Sequence, residues 1–217
     1  MHSAQVDRFV HDRLPPPEQG PELRYDLPEL QALQAPDTPL NLVQALFDRA
    51  QAHGHADRPF LRSDERTLTY AQARAEVNRL SNVLAQTGLQ PGNRVLLRGG
   101  NSVAMALAWL AVVQSGLIAV ATMPLLRAKE LGEVITKSQA RVALCDVGLL
   151  AELQTAQGLN PVLAHILPFN TNDAGSLAVL AAAKDGNFTP CRTSADDIAM
   201  MAFTSGTTGT PKAPVHS

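Results

Sequence analysis

The sequence predicts an α/β protein built as a parallel β-sheet flanked by helices. Three observations carry this expectation. Short apolar runs alternate with amphipathic stretches through the middle of the chain, the pattern of repeated βα units. The uncharged run from Ser102 to Leu126 is accounted for by a buried helix, a tight turn and a buried parallel strand in succession. Capping residues and glycines punctuate the stretches, among them Asn41, Thr69 and Asp146 at helix starts and Gly54 and Gly88 at helix ends.

Residues 1–40 are rich in proline, with Pro15-Pro16-Pro17 followed by Pro21, Pro28, Pro36 and Pro39. They predict an extended arm on the surface with short turns. Asn41 with Gln44 resembles a capping box for a helix that Gly54 closes. Residues 59–62 and 67–69 predict a small hairpin, and Thr69 with Gln72 caps the next helix, whose Ala73, Val77, Leu80 and Leu84 share one face. Strands then follow at 94–98, 117–121 and 142–145, with helices at 102–114 and 127–138 and from Asp146 to near Gly158. The stretch 163–192 predicts a strand at 164–167 and then a loop. Residues 196–203 form an apolar strand led in by two acids. We expect an arm over 1–40, an α/β unit over 41–203, and a functional loop with its continuation over 204–217.

Composition narrows the function classes. A net charge of -2 without a dense Lys/Arg cluster argues against nucleic acid as a partner. Gln114-Ser115-Gly116 interrupts the uncharged run, which argues against membrane insertion. The two cysteines, Cys145 and Cys191, have no metal-ligand spacing and read as small apolar side chains in a reducing cytoplasm. His53, His55 and His165 share no ligand spacing with acids or cysteines. Trp109, Met105 and Met123 read as packing residues.

The informative segment is Thr204-Ser205-Gly206-Thr207-Thr208-Gly209-Thr210-Pro211-Lys212. Gly206 and Gly209 let successive backbone N–H groups turn toward one anion. Five hydroxyls surround them, at Thr204, Ser205, Thr207, Thr208 and Thr210, and Lys212 adds a positive charge. This chemistry suits a triphosphate or pyrophosphate. It is not a Walker A loop: counted from Gly206, Pro211 replaces the second glycine and Ala213 the Mg²⁺-binding hydroxyl. The competing reading is a Ser/Thr/Gly-rich turn at a strand end.

The run T-S-G-T-T-G-T-P-K resembles the signature of the adenylate-forming superfamily, which includes acyl- and aryl-CoA synthetases, peptide-synthetase adenylation domains and luciferases. Leu68-Thr69-Tyr70 and Gly88-Leu89-Gln90-Pro91-Gly92-Asn93-Arg94-Val95 are similar to further stretches of these ligases, with Asn93 where aspartate is usual. Val6-Asp7-Arg8-Phe9 through Pro17, Asp26-Leu27-Pro28-Glu29-Leu30, and Ala121-Thr122-Met123-Pro124-Leu125-Leu126-Arg127 look most like 2-aminobenzoate–CoA ligases and their benzoate-type relatives.

The resemblance implies that this chain is an incomplete N-terminal subdomain of such a ligase. It implies ATP, Mg²⁺ and coenzyme A as cofactor and cosubstrates, and a small carboxylic acid as substrate. Carried over by position, Thr204, Ser205, Gly206, Thr207, Thr208, Gly209 and Lys212 hold the β- and γ-phosphates, with Lys212 the catalytic cation and Thr207 a candidate Mg²⁺ contact. Ala213-Pro214 departs from the family's usual glycine after the lysine, which opens the backbone direction there to question. His216 stands where aryl-CoA ligases carry a histidine; a solvated histidine is the competing reading. The adenine site and a C-terminal catalytic lysine belong to segments beyond this pattern, so the isolated chain is expected to bind nucleotide weakly and form no acyl-CoA. A homodimer through bared apolar sheet surface is a further expectation. The alternatives are another acyl-adenylating enzyme, such as a fatty acyl-CoA synthetase or a carrier-loading domain, and a nucleotide-binding domain without catalysis.

Overall fold

A computed structural model describes residues 4–19, 28, 39–203 and 213–216. Helix α1 (Leu42–Ala52) opens where Asn41 accepts from the Gln44 N–H at 3.2 Å. Gln44 does not return a bond to the Asn41 N–H, so this cap is one-sided; the Asn41 amide donates instead to the carbonyls of Gln114 and Cys191. Strands β1 (Pro59–Arg62) and β2 (Thr67–Thr69) form the antiparallel hairpin. At helix α2 (Tyr70–Ala85) the capping box is complete, with Thr69 and Gln72 each bonding the other's backbone N–H.

The main sheet has the order β6-β5-β3-β4-β7-β8. Strands β3 (Arg94–Arg98), β4 (Ile118–Thr122), β5 (Val142–Asp146), β6 (His165–Phe169) and β7 (Met200–Ala202) run parallel. Strand β8 (Val215–His216) returns antiparallel along β7. Helices α3 (Val103–Gln114), α4 (Ala128–Ser138) and α5 (Leu150–Leu159) are the crossovers. Alternating side chains of one strand face opposite layers. Val95 and Leu97 join the core under α1, α2 and α3, whereas Leu96 joins the core under α4 and α5. The predicted α/β class, a parallel sheet between helices, is the observed one.

Three local expectations need correction. The stretch after β6 is not all loop: Ser176 accepts from the Val179 N–H and starts a short helix, α6 (Leu177–Ala182), whose Leu177 and Ala181 enter the core. Asp146 caps a 3-10 turn, Val147–Leu149, rather than the helix itself, which begins at Leu150. Met123 is not packed; it is 51% exposed.

The beginning of the arm is seated rather than merely laid on the surface. Gln5 and Val10 are only 3% and 4% exposed. The Gln5 amide donates to the Ile198 carbonyl at 2.7 Å, just ahead of β7. Asp7 forms an ion pair with Arg94 and accepts from Asn93 at 2.7 Å and from the Phe9 N–H at 2.8 Å. An aspartate at position 93 would set a second negative charge against Asp7, so Asn93 fits this arm. The segment 20–38, apart from Pro28, lies outside the described residues.

Burial pushes the Asp7 carboxyl up, but the Phe9 N–H, Arg94 and Asn93 together outweigh it and hold the pKa below its ordinary 3.8. A depressed folded pKa gives stability that is complete above the unfolded value and lost as pH falls through the folded one. Acid is therefore expected to loosen the arm. Hydrogen exchange of the Asp7 amide, bonded to the Pro91 carbonyl, followed between about pH 5 and about pH 2 and corrected for intrinsic rates, checks this. Protection that does not fall with pH would contradict it.

Candidate nucleotide site

Residues Thr204, Ser205, Gly206, Thr207, Thr208, Gly209 and Lys212 lie outside the described residues, as do Thr210 and Pro211. Their surroundings are described. Strand β7 pairs with β4, with Ala202 opposite Ala121, and Phe203 at its end is buried. Beyond the segment, the Ala202 N–H donates to the Pro214 carbonyl at 3.0 Å, and Met201 and Met200 oppose Val215 and His216. The segment 204–212 therefore leads from the carboxyl end of β7 to its antiparallel neighbour β8, and the carboxyl end of a parallel sheet is where open α/β sheets take ligands.

The same pairing answers the question raised by Ala213-Pro214. Half-buried Ala213 packs against the core, and the chain continues along β7. The His216 side chain is exposed, as a solvated histidine would be.

Beside this end of β7, Thr122 closes β4 by donating its hydroxyl to the Leu97 carbonyl at 2.9 Å. Arg98, at the end of β3, is 1% exposed and donates to four carbonyls. They are Met123 at 3.1 Å, Pro124 at 3.1 Å, Leu126 at 2.8 Å and Leu149 at 3.3 Å. Its neighbour across the strands is Cys145, whose thiol burial pushes up to about 12. That thiol stays neutral at ordinary pH and offers the guanidinium no counter-charge. Burial also draws Arg98 below the ordinary guanidinium value. The far end of the loop 123–127, which follows β4, is held by Glu152, which accepts from the Ala128 N–H at 2.8 Å and from Arg127 at 3.0 Å. These two hydrogen bonds keep the Glu152 carboxyl below its usual range.

Sequence reasoning passed over Arg98. The available signal was a charged residue ending the apolar run R-V-L-L-R, where a covered strand ordinarily stays apolar. Also unforeseen is a cavity of about 810 Å³ at the carboxyl ends of β3 and β6. Leu107, Phe169 and Leu177 line its apolar side, and Arg79, Asn101 and Asn172 its polar side. Among the described residues there is no cluster of three or more His, Cys, Asp or Glu that could hold a metal, and no helix long and apolar enough to cross a membrane.

Residues 48–217 match the family model described as AMP-binding enzyme. The chain belongs to that family of adenylate-forming enzymes. It is 30% identical over 177 residues to the benzoate–CoA ligase of Thauera aromatica, covering 81% of this chain and 34% of that one. It is 35% identical over 193 residues to the medium/long-chain-fatty-acid–CoA ligase FadD6 of Mycobacterium tuberculosis, covering 84% and 30%. Among solved structures, ATP-bound MatB from Rhodopseudomonas palustris superposes with a TM-score of 0.69 at 29% identity, over 83% of this chain and 35% of that one. The anthranilate CoA ligase AuaEII with anthranoyl-AMP gives 0.76 at 24% identity, over 82% and 34%, which is likeness of fold. The chain thus spans about a third of the length of these relatives.

Proposed function

We propose that this chain is the phosphate-holding N-terminal part of an AMP-forming acid–thiol ligase for an aromatic acid of the benzoate or 2-aminobenzoate type. The observation that supports the reading is the place of the T-S-G-T-T-G-T-P-K motif in the chain, directly after the carboxyl end of β7 and before β8. The benzoate-type branch is supported by the relatives that act on benzoates and by the motif Ala121–Arg127. The fatty-acid ligase relative supports a fatty acyl substrate as the second reading.

In the reaction, a carboxylate oxygen bonds to the α-phosphorus of ATP and the bond to pyrophosphate breaks. The coenzyme A thiolate then attacks the acyl carbon, and AMP leaves with the former carboxylate oxygen. Hydroxyls and N–H groups of 204–209, with Lys212, hold the β- and γ-phosphates in line and offset the charge that builds on the departing pyrophosphate. Mg²⁺, which binds largely through phosphate oxygens, fits a hydroxyl such as that of Thr207, and when bound would neutralise part of that charge. The arm over 1–40, the α/β unit over 41–203 and the loop region 204–217 would be the working divisions. A cytoplasmic location and a homodimeric state complete the reading.

The test is calorimetric titration of the chain with Mg²⁺–pyrophosphate. Weak binding is expected, and Lys212→Ala is expected to weaken it roughly 10- to 100-fold, the value of about 1.5–3 kcal/mol for a hydrogen bond to a charged group. Equal affinity in parent and variant, or none in the parent, would remove the phosphate reading.

A further inference from the structure

The cavity at the carboxyl ends of β3 and β6 has an apolar floor and walls that are held in place. Leu80, Val103, Leu107, Phe169 and Leu177 belong to the core and form the floor. The Phe169 ring lies so close over Gly99 that a Cβ there would come within 2.7 Å of it. One wall is the hairpin turn 63–66. Arg66 pins this turn to α2 through both oxygens of Glu76, at 3.2 Å and 3.1 Å. Another wall follows β6, where the Asn170 amide donates to Asp146 at 2.6 Å and the Thr171 hydroxyl to Asp173 at 2.8 Å. The space, about 810 Å³, is the size of pockets that take small organic ligands.

Arg79 of α2 lines the same space. It is half-buried, and among the described residues it has no ion pair or hydrogen bond. Two carboxylates, Asp64 and Glu65, also border the cavity, but both are exposed in the turn. Bulk water weakens a charge interaction roughly fourfold relative to a partly dry protein surface. The half-buried Arg79 therefore decides which sign of charge the cavity favours.

We propose that this cavity binds a small amphiphilic carboxylate, with its apolar body on the floor of Leu107, Phe169 and Leu177 and its head on Arg79. A guanidinium meets a carboxylate with two parallel N–H···O bonds, and the floor removes the apolar body from water. Asn101 and Asn172 add amide donors at the rim. The proposal involves no residue of 204–212 and stands apart from the phosphate reading.

Octanoate is the probe, with octylamine and octanol as its cationic and neutral counterparts. Each is titrated into the chain carrying labelled leucine methyl groups, followed by NMR. Octanoate is expected to give saturable shifts at Leu80, Leu107 and Leu177 and to leave Leu131 and Leu153 of the other core unmoved. Arg79→Gln is expected to weaken octanoate about 10- to 100-fold, the range for a hydrogen bond to a charged group, and to leave octanol unchanged. Ala178→Trp, at an exposed position of α6 on the cavity border, is expected to block octanoate with Arg79 intact. The Leu131 and Leu153 signals report that each variant keeps its fold. Absence of saturable shifts overturns the proposal. So does octylamine or octanol binding as tightly as octanoate, or octanoate affinity within twofold of the parent in either variant.

Discussion

Gly116→Val is expected to destabilise the chain by about 2–5 kcal/mol, the sum of two separate costs. Gly116 ends α3 with φ +72°, while its N–H donates to the Val113 carbonyl and the Leu117 N–H to the Val112 carbonyl. This paired arrangement is a Schellman motif, and it turns α3 directly into β4. A residue with a Cβ in that left-handed conformation costs about 1–2 kcal/mol. The new Cβ would lie 2.6 Å from the Cys191 sulfur and 2.9 Å from the Cys191 Cβ, and relieving that contact adds about 1–3 kcal/mol. Gly54 is the control, since it has φ +67° and nothing within 4 Å of a built Cβ. Urea unfolding should give Gly54→Ala only the smaller cost. Equal losses at the two glycines would show that packing against Cys191 contributes nothing.

Arg94→Met is expected to cost about 3–5 kcal/mol, as removal of one partner from a buried pair does. Arg94 is 6% exposed. Besides its pair with Asp7, it donates to the Ser138 carbonyl at 2.7 Å and the Gly92 carbonyl at 3.1 Å, and its guanidinium lies 4.5 Å from the Phe9 ring centre. The substitution leaves those acceptors short of a donor and unseats the arm. Asp7→Asn should cost less. Its side chain is 27% exposed, so water screens part of the pair, and an undocked arm can carry the lost contact into solvent. Thermal unfolding and limited proteolysis of the arm separate the two effects. If Arg94→Met leaves the arm as protected as in the parent, the pair does not hold it.

The sheet and its helices were legible because their signals are local. Thr69 and Gln72 stand three apart, and the box they form needs no distant residue. Apolar spacing alone put Ala73, Val77 and Leu84 on one buried face of α2. Helix α6 was missed because six small and apolar residues behind Ser176 are too short a run to show a period, and its packing against β6 and α2 is what makes it a helix. Met123 was misread because an apolar residue next to a buried strand reads as core, whereas the Arg98 bonds hold its loop at the surface.

For the candidate site, the order of hydroxyls, glycines and lysine in 204–212 is what the proposal of a phosphate ligand rests on, since that order is a list of donors suited to a phosphate. The sequence alone thus determined the α/β class, most of its elements and the family, through patterns spanning a few residues each. Only the tertiary structure decided that Gln5 reaches Ile198, that Asp7 meets Arg94, and that Arg98 gathers carbonyls from two separate loops. Those contacts join positions from about 25 to nearly 200 residues apart, and no local pattern encodes a partner at that distance.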